Sequence, residues 1–438
     1  MITLALFSVV GTAVALLLRI PLPPSIAARI AFVFLLGAGA HGAILFVLAA
    51  PGVRMNLWTF LAVPLLALVS FGVRRQRLRF SILPCHFESG SVASALQKIV
   101  FALPIAVLLF AAAVLPIRDY DGRVTWLPKA RAIAIEQSTT GPFFQGERGL
   151  NLHNRYPLLL PLDAATTMVL SGDTRNEAAR WLYVLIPIAL FVVLRVMLSS
   201  AWIAAAMPWL GVLTAIEGGA LAAYNDFALA AFLGMAVLYL LASLDQPAAL
   251  RAVGLFAAFA VLTKNEGAML ALAILAAAVF VRRLKSIGEW LWMLVPVAAA
   301  EGIVVYWRTL VPAAYDEQYE VLVSSLPASL DRVPAAMLAI LRHAADVSEW
   351  GGFWIAVAVA IVAVAVLDRS RRYVILLVTM ALALAAYVVA LSVTSWRIED
   401  LAAVAVNRLL VHLLVPAACM LAMALRKTEP SAGVTPGP

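Results

Sequence analysis

Asp119 and Asp121 open the one long polar stretch of this chain, Arg118 to Pro161, which reads RDYDGRVTWLPKARAIAIEQSTTGPFFQGERGLNLHNRYPLLLP between apolar runs. A carboxylate fixed at a membrane boundary can take a proton from a hydroxyl as a general base, or help to bind a divalent cation. It can also be a plain solvated loop acid. Trp126, Lys129 and Arg131 follow, and Asp121, Trp126 and Lys129 fall to one side of a short helix. An interfacial Trp can serve only as a belt anchor, and the Lys beside it only as a partner for lipid phosphate. His153 and Tyr156 stand just before Pro157, in a chain whose five histidines show no zinc-ligand spacing.

Further chemistry-bearing residues lie at the ends of other apolar runs. Tyr224, Asn225 and Asp226 begin one of them; Asp226 reads equally as a helix cap and as a site residue. Lys264, Asn265 and Glu266 form a compact charged trio at a turn, suited to a phosphate beside a helix N-terminus or to a mutually neutralised ion pair. Arg397, Glu399, Asp400 and Arg408 surround the start of the last run. Arg408 needs a partner at that depth, either an acid or a lipid phosphate. Arg195 reads as a snorkelling side chain near the other surface.

The elements that must hold these residues are apolar. Of the chain's residues 64% are hydrophobic, and runs of about 18–20 such residues recur, each long enough for a helix to cross a ~30 Å hydrocarbon layer. Backbone groups in lipid must bond internally, and the alternation of a barrel is absent, so the fold class is an all-α, polytopic transmembrane helix bundle. Thirteen spans are expected, near 2–18, 30–50, 57–73, 97–116, 178–198, 201–216, 223–243, 250–264, 266–281, 288–307, 352–367, 372–392 and 402–424. The pair at 250–281 reads as two spans or as one broken helix.

Residues 1–427 form one membrane domain with two extended outer loops, 117–177 and 308–351, and 428–438 a disordered tail. The first loop is expected to carry short surface helices, with Tyr156 to Leu170 along or dipping into the interface. Basic clusters at Arg74–Arg79, Arg282–Lys285, Arg369–Arg372 and Arg426–Lys427 then share the cytoplasmic side, and nineteen of the 24 acids face outward. The net charge of +8 is accounted for by those loops and by membrane lipids as partners, with no nucleic acid implied. Residues 1–18 lack a basic start and a small-residue cleavage site, so they read as a retained span. Cys85 and Cys419 sit in a loop and a span and are not expected to pair.

One order of motifs runs from Arg118 to Pro416. It comprises the loop acid, Trp-Leu-Pro-Lys-Ala, His-x-x-Tyr-Pro-Leu-Leu, Tyr-x-Asp, Thr-Lys-Asn-Glu-Gly, then Asn-Arg-Leu-Leu-x-His-Leu-Leu-x-Pro. It resembles the bacterial GT-C glycosyltransferases that use polyprenyl-phosphate sugars, and is similar to protein O-mannosyltransferases and the aminoarabinose transferase of lipid A. The resemblance implies a GT-C-like fold and a multi-pass enzyme of the bacterial inner (plasma) membrane, active on the periplasmic face. It implies inverting transfer of a hexosyl or pentosyl group from a polyprenyl-phosphate sugar donor to a hydroxyl of a glycan, lipid or protein acceptor. By the same carry-over, Asp121, with Asp119 beside it, is the catalytic acid/base; Arg408, Lys264 and Lys129 hold the donor phosphate. Trp126, His153, Tyr156, Asp226, Glu266 and Arg397 contact substrate. A divalent cation is left open as cofactor. Tyr120 and Gly122 depart from the family's usual Trp or acid beside the loop Asp. The alternative is a secondary transporter or flippase of a lipid-linked or small polar substrate, for which Glu217 and Glu301 speak.

Overall fold

Apolar runs that find no water for their backbone N–H and C=O groups must close those bonds internally, and here they do so as helices. The structure is a computed structural model; it describes residues 2–74, 81–83, 95–117, 119–146, 153–198, 200–213, 221–314, 327–367, 369–394 and 396–428. Helices α1 (Ile2–Leu17), α2 (Ile26–Ala49), α3 (Leu57–Arg74) and α4 (Ala95–Val114) precede the polar stretch. Within it, a π-helical turn, Gly122–Trp126, runs into α5 (Leu127–Glu136), and α6 covers Leu159–Ser171. There follow α7 (Asn176–Met197), α8 (Ala201–Leu213), α9 (Asp226–Ala242), α10 (Leu250–Val261), α11 (Asn265–Ala277) and α12 (Ile287–Leu310). The remainder is α13 (Val333–Ala345), α14 (Val347–Trp350), α15 (Phe353–Leu367), α16 (Arg371–Val393), α17 (Ile398–Val411) and α18 (Leu414–Thr428). The sheet-like feature among the described residues is a single parallel bridge, Leu22 to Ile82.

The protein is an all-α helical bundle. Among the described residues, six helical segments are long and apolar enough to cross a membrane: Ile26–Ala49, Ala95–Val114, Asn176–Met197, Asn265–Arg282, Ile287–Leu310 and Arg371–Val393. A seventh is α17 with α18, bent by 57° at the break between them. The other expected spans are also helical but shorter, at 10–17 residues. Helices α10 and α11 are separate elements joined by a turn at Leu262–Lys264, and α11 extends through a second π turn, Ala278–Arg282.

Helices α2 and α9 form the middle of the bundle. α2 packs on α1, α6 and α7; α9 packs on α7, α10, α17 and α18. Nearly every residue of α9 is buried, whereas α4, α12 and α15 leave one apolar face outward, with Phe110, Val295 and Val366 exposed. The first polar loop departs from the expectation of surface helices. Leu158 through Thr166 are buried, so α6 lies inside the bundle against α2 and α5. Its one charged side chain, Asp163, meets His41 of α2 through Oδ1 at 2.8 Å, inside the protein.

Arg75, Arg77 and Arg79, Cys85, Arg118, Glu217, residues 315–326 and the tail from 429 lie outside the described residues.

Candidate active site

Gly122 sets the entrance to the site. A Cβ there would stand 2.1 Å from the Ala222 carbonyl oxygen, so only glycine lets the π-helical turn lie against the segment leading into α9. The consequence is a contact between distant parts of the chain: the Asp121 N–H donates to the Tyr224 hydroxyl oxygen at 3.2 Å. Gly267 does similar work at the α10–α11 corner, where a Cβ would meet the Ala260 carbonyl oxygen at 1.9 Å. That close corner turns Lys264 inward from the start of α11.

Three carboxylates and two cations meet where these segments converge with α17. Asp226 is fully buried. Its Oδ1 takes the Lys264 ammonium at 2.7 Å and faces His412 Nε2 at 3.0 Å; its Oδ2 accepts from Arg408 Nε at 3.1 Å. The side chain therefore does not cap its own helix, and α9 begins without a side-chain cap bond. Arg408 reaches Asp121 with Nη1 at 2.7 Å and lies over the Tyr224 ring, 4.6 Å from its centroid. Lys264 also approaches Glu266 Oε1 at 3.4 Å. His412 Nδ1 meets the Tyr387 hydroxyl at 2.9 Å. With a carboxylate at one ring nitrogen and a hydroxyl at the other, a neutral His412 carries its proton on Nε2 and accepts from Tyr387.

Exposure grades across the cluster. The Asp226 and His412 side chains are sealed, while Arg408 and Asp121 keep 22% and 17% of their surface. The Asp121–Arg408 pair is the more open end of the cluster.

A second group stands behind the first. Trp126 and Tyr156 stack at 5.5 Å, and the His153 ring lies 4.7 Å from Tyr156. The buried Lys129 ammonium sits over both aromatic faces, 5.3 Å from Trp126 and 5.9 Å from Tyr156, and donates to the His153 carbonyl oxygen. Lys129 is thus fixed by aromatic rings and a backbone carbonyl. The two groups are tied by the α10–α11 turn, whose Leu262 carbonyl accepts from the Leu159 N–H at 3.1 Å.

No family model, no curated protein and no solved structure matches this chain.

Of the residues singled out in the sequence, Asp121, Asp226, Lys264, Glu266 and Arg408 come together in one network. Trp126, Lys129, His153 and Tyr156 form the aromatic group beside it. Asp119 lies close enough to act electrostatically on Tyr224. Arg397 does not join: its side chain is 79% exposed at the start of α17 and lies 3.9 Å from Asp400. Arg408 takes its carboxylates from Asp121 and Asp226, not from Glu399 or Asp400 on its own helix.

His412 and Tyr387 were not singled out as site residues. His412 had a signal, its position four residues after Arg408 on the same helical run. Tyr387, inside an apolar helix, had none. A further buried pair, His41 with Asp163 at 2.8 Å, joins α2 to α6 and was likewise not singled out. Among the described residues no group of three or more His, Cys, Asp or Glu side chains is placed to hold a metal ion.

Proposed function

We propose that this chain is an inverting membrane glycosyltransferase of GT-C type that moves a sugar from a polyprenyl-phosphate donor to a hydroxyl acceptor. Its place is the bacterial inner membrane, with thirteen crossings and the site on the periplasmic side. The observation that carries this reading is the half-open ion pair between Asp121 and Arg408, backed by the buried Asp226 and Lys264. It puts a proton acceptor and a fixed cation side by side at a reachable edge of an apolar bundle.

In the reaction, the acceptor hydroxyl oxygen attacks the anomeric carbon while its proton passes to Asp121. The bond from the anomeric carbon to the phosphate oxygen breaks, and its electron pair leaves with the polyprenyl phosphate. Arg408 and Lys264 stabilise the charge that grows there. The Asp226 carboxylate keeps both cations in place before substrate arrives, so little reorganisation is left for the transition state. Trp126 and Tyr156 supply a flat apolar wall beside the site.

The bend between α17 and α18 supports a second reading, a transporter or flippase, because broken helices around buried charges are also how transporters build their binding sites. Purified protein in proteoliposomes with a labelled polyprenyl-phosphate sugar separates the two. Release of polyprenyl phosphate with label on an acceptor supports transfer. Label that changes leaflet with the donor intact would replace it with transport.

A further inference from the structure

Arg408 is well placed for a phosphate but already carries two carboxylates, Asp121 at 2.7 Å and Asp226 at 3.1 Å. Counted together, the network of Asp121, Asp226 and Glu266 against Arg408 and Lys264 has three negative groups and two positive ones. An incoming phosphate would meet a site that is short of positive charge.

Arg308 is a different kind of guanidinium. It stands on the last turn of α12, half-buried, and the two groups it donates to are neutral. Its Nε donates to the Arg155 carbonyl oxygen at 3.1 Å and its Nη2 to Asn265 Oδ1 at 2.5 Å. Among the described residues no carboxylate pairs with it. Two of a guanidinium's five N–H groups are thereby used, and the plane is locked while the rest can still donate. Asn265 directly follows Lys264, so Arg308 is one residue removed from the ionic network. Below it, α12 shows an outward apolar face with Leu291, Val295, Val305 and Tyr306 exposed.

We infer that Arg308 is a phosphate-binding residue, the seat of a phosphate anion carried on an apolar tail. The assignment of that phosphate to the polyprenyl donor rests on the glycosyl-transfer reading. Arg308 raises the positive groups to three, matching the three carboxylates, before the phosphate enters. The tail lies along the outward face of α12, which favours a lipid phosphate over a free one. An ordinary phospholipid has the same chemistry, and the experiment must tell the two apart.

The test uses full-length protein in phosphatidylcholine nanodiscs, with radiolabelled polyprenyl monophosphate as probe. Arg308→Gln should weaken binding about ten- to a hundred-fold, the loss of a charge-assisted contact, and Arg308→Lys should recover part of it. Asn265→Asp is the sharper variant. It gives Arg308 the carboxylate it lacks, at a helix start where an acid is tolerated, so the thermal midpoint should hold or rise. Probe affinity should nevertheless fall as in Arg308→Gln. A purely structural Arg308 predicts the reverse, unchanged affinity in Asn265→Asp, and that result would overturn the assignment. Competition supplies the remaining arms. Displacement by phosphatidylglycerol as efficiently as by unlabelled polyprenyl phosphate would overturn the donor role. Inorganic phosphate competing only at far higher concentration supports the tailed ligand. Wild-type protein that binds and turns over donor, with both variants binding normally, removes Arg308 alone. Wild-type protein that binds no polyprenyl phosphate removes the transferase reading as well.

Discussion

At the scale of single residues, Asp121 and Asp226 have the same side chain and opposite situations. Asp121 is reachable and bonded through one carboxylate oxygen to Arg408; Asp226 is sealed among Lys264, Arg408 and His412. Their substitutions should separate cleanly. Asp121→Asn keeps shape and removes basicity, so sugar transfer should fall ~10²–10⁴-fold while the thermal midpoint stays close to that of the parent. Unchanged turnover would pass the role to Asp119. Asp226→Ala leaves buried cations without their partner, and removing one side of a buried pair typically costs about 3–5 kcal/mol. Thermal or denaturant unfolding in detergent should show that loss even without substrate. Tyr224 offers a finer contrast. Tyr224→Phe keeps the ring under Arg408 and removes only the acceptor of the Asp121 N–H, a net effect of about 0.5–1.5 kcal/mol. Tyr224→Ala also removes the cation–π contact, so its turnover should be the lower of the two.

The residues were legible in the sequence to the extent that an ionisable group next to an apolar run must have a reason to be there. Asp121, Asp226, Lys264, Glu266 and Arg408 all stood out this way, and all joined. Arg397 stood out equally and did not join, because charge at a helix start needs no buried partner when the start is in water. Which acid meets which base was not legible: Arg408 passes over two acids on its own helix for Asp121 and Asp226, 287 and 182 residues away.

At the scale of elements, helix positions followed hydrophobic runs closely, and what could not be read was depth. Helix α6 carries the polar neighbours of a surface loop and yet is enclosed, with its one carboxylate bonded through Oδ1 to His41 of α2. That pair makes a prediction of its own. Asp163→Leu alone should destabilise by about 3–5 kcal/mol, while His41→Phe combined with Asp163→Leu should recover most of it, as expected when a buried polar pair is exchanged for apolar bulk. A double mutant as unstable as the single would mean that the pair does more than join two helices. Gly122 acts at the same scale. Gly122→Ala must push the π-helical turn away from Ala222, carrying Asp121 from Tyr224 and Arg408. Turnover should drop although no site side chain has changed, and a fully active Gly122→Ala protein would show that this close approach is not needed.

For the whole molecule, one end of the bundle gathers the carboxylates and cations of the site, and the other holds arginine-rich turns such as Arg282, paired with Glu289 at 2.8 Å. If thirteen segments cross, Ser138 and Ser286 lie on opposite faces of the membrane. Ser138→Cys should react with an impermeant thiol reagent on intact cells, and Ser286→Cys only after permeabilisation; equal labelling of both would overturn the thirteen-crossing arrangement. The all-α class was legible from composition alone, since a chain this apolar has only its own backbone to bond with. The number of crossings was not, because helices of 10–17 residues are as compatible with a bundle interior as with a thin crossing.

The buried Asp226 has a consequence for the order in which the protein comes into being. Its partners arrive at different times during synthesis: Lys264 soon after it, Arg408 and His412 only on α17 and at the α17–α18 break. Until α17 is inserted, a carboxylate meant for three donors has one, and the Tyr387 hydroxyl waits for its histidine. The Asp121–Arg408 pair cannot form before that moment either, since Asp121 precedes α5 and Arg408 lies on α17. A ribosome that stops short of residue 398 therefore leaves Asp226 with one of its three donors and the Asp121–Arg408 pair unmade.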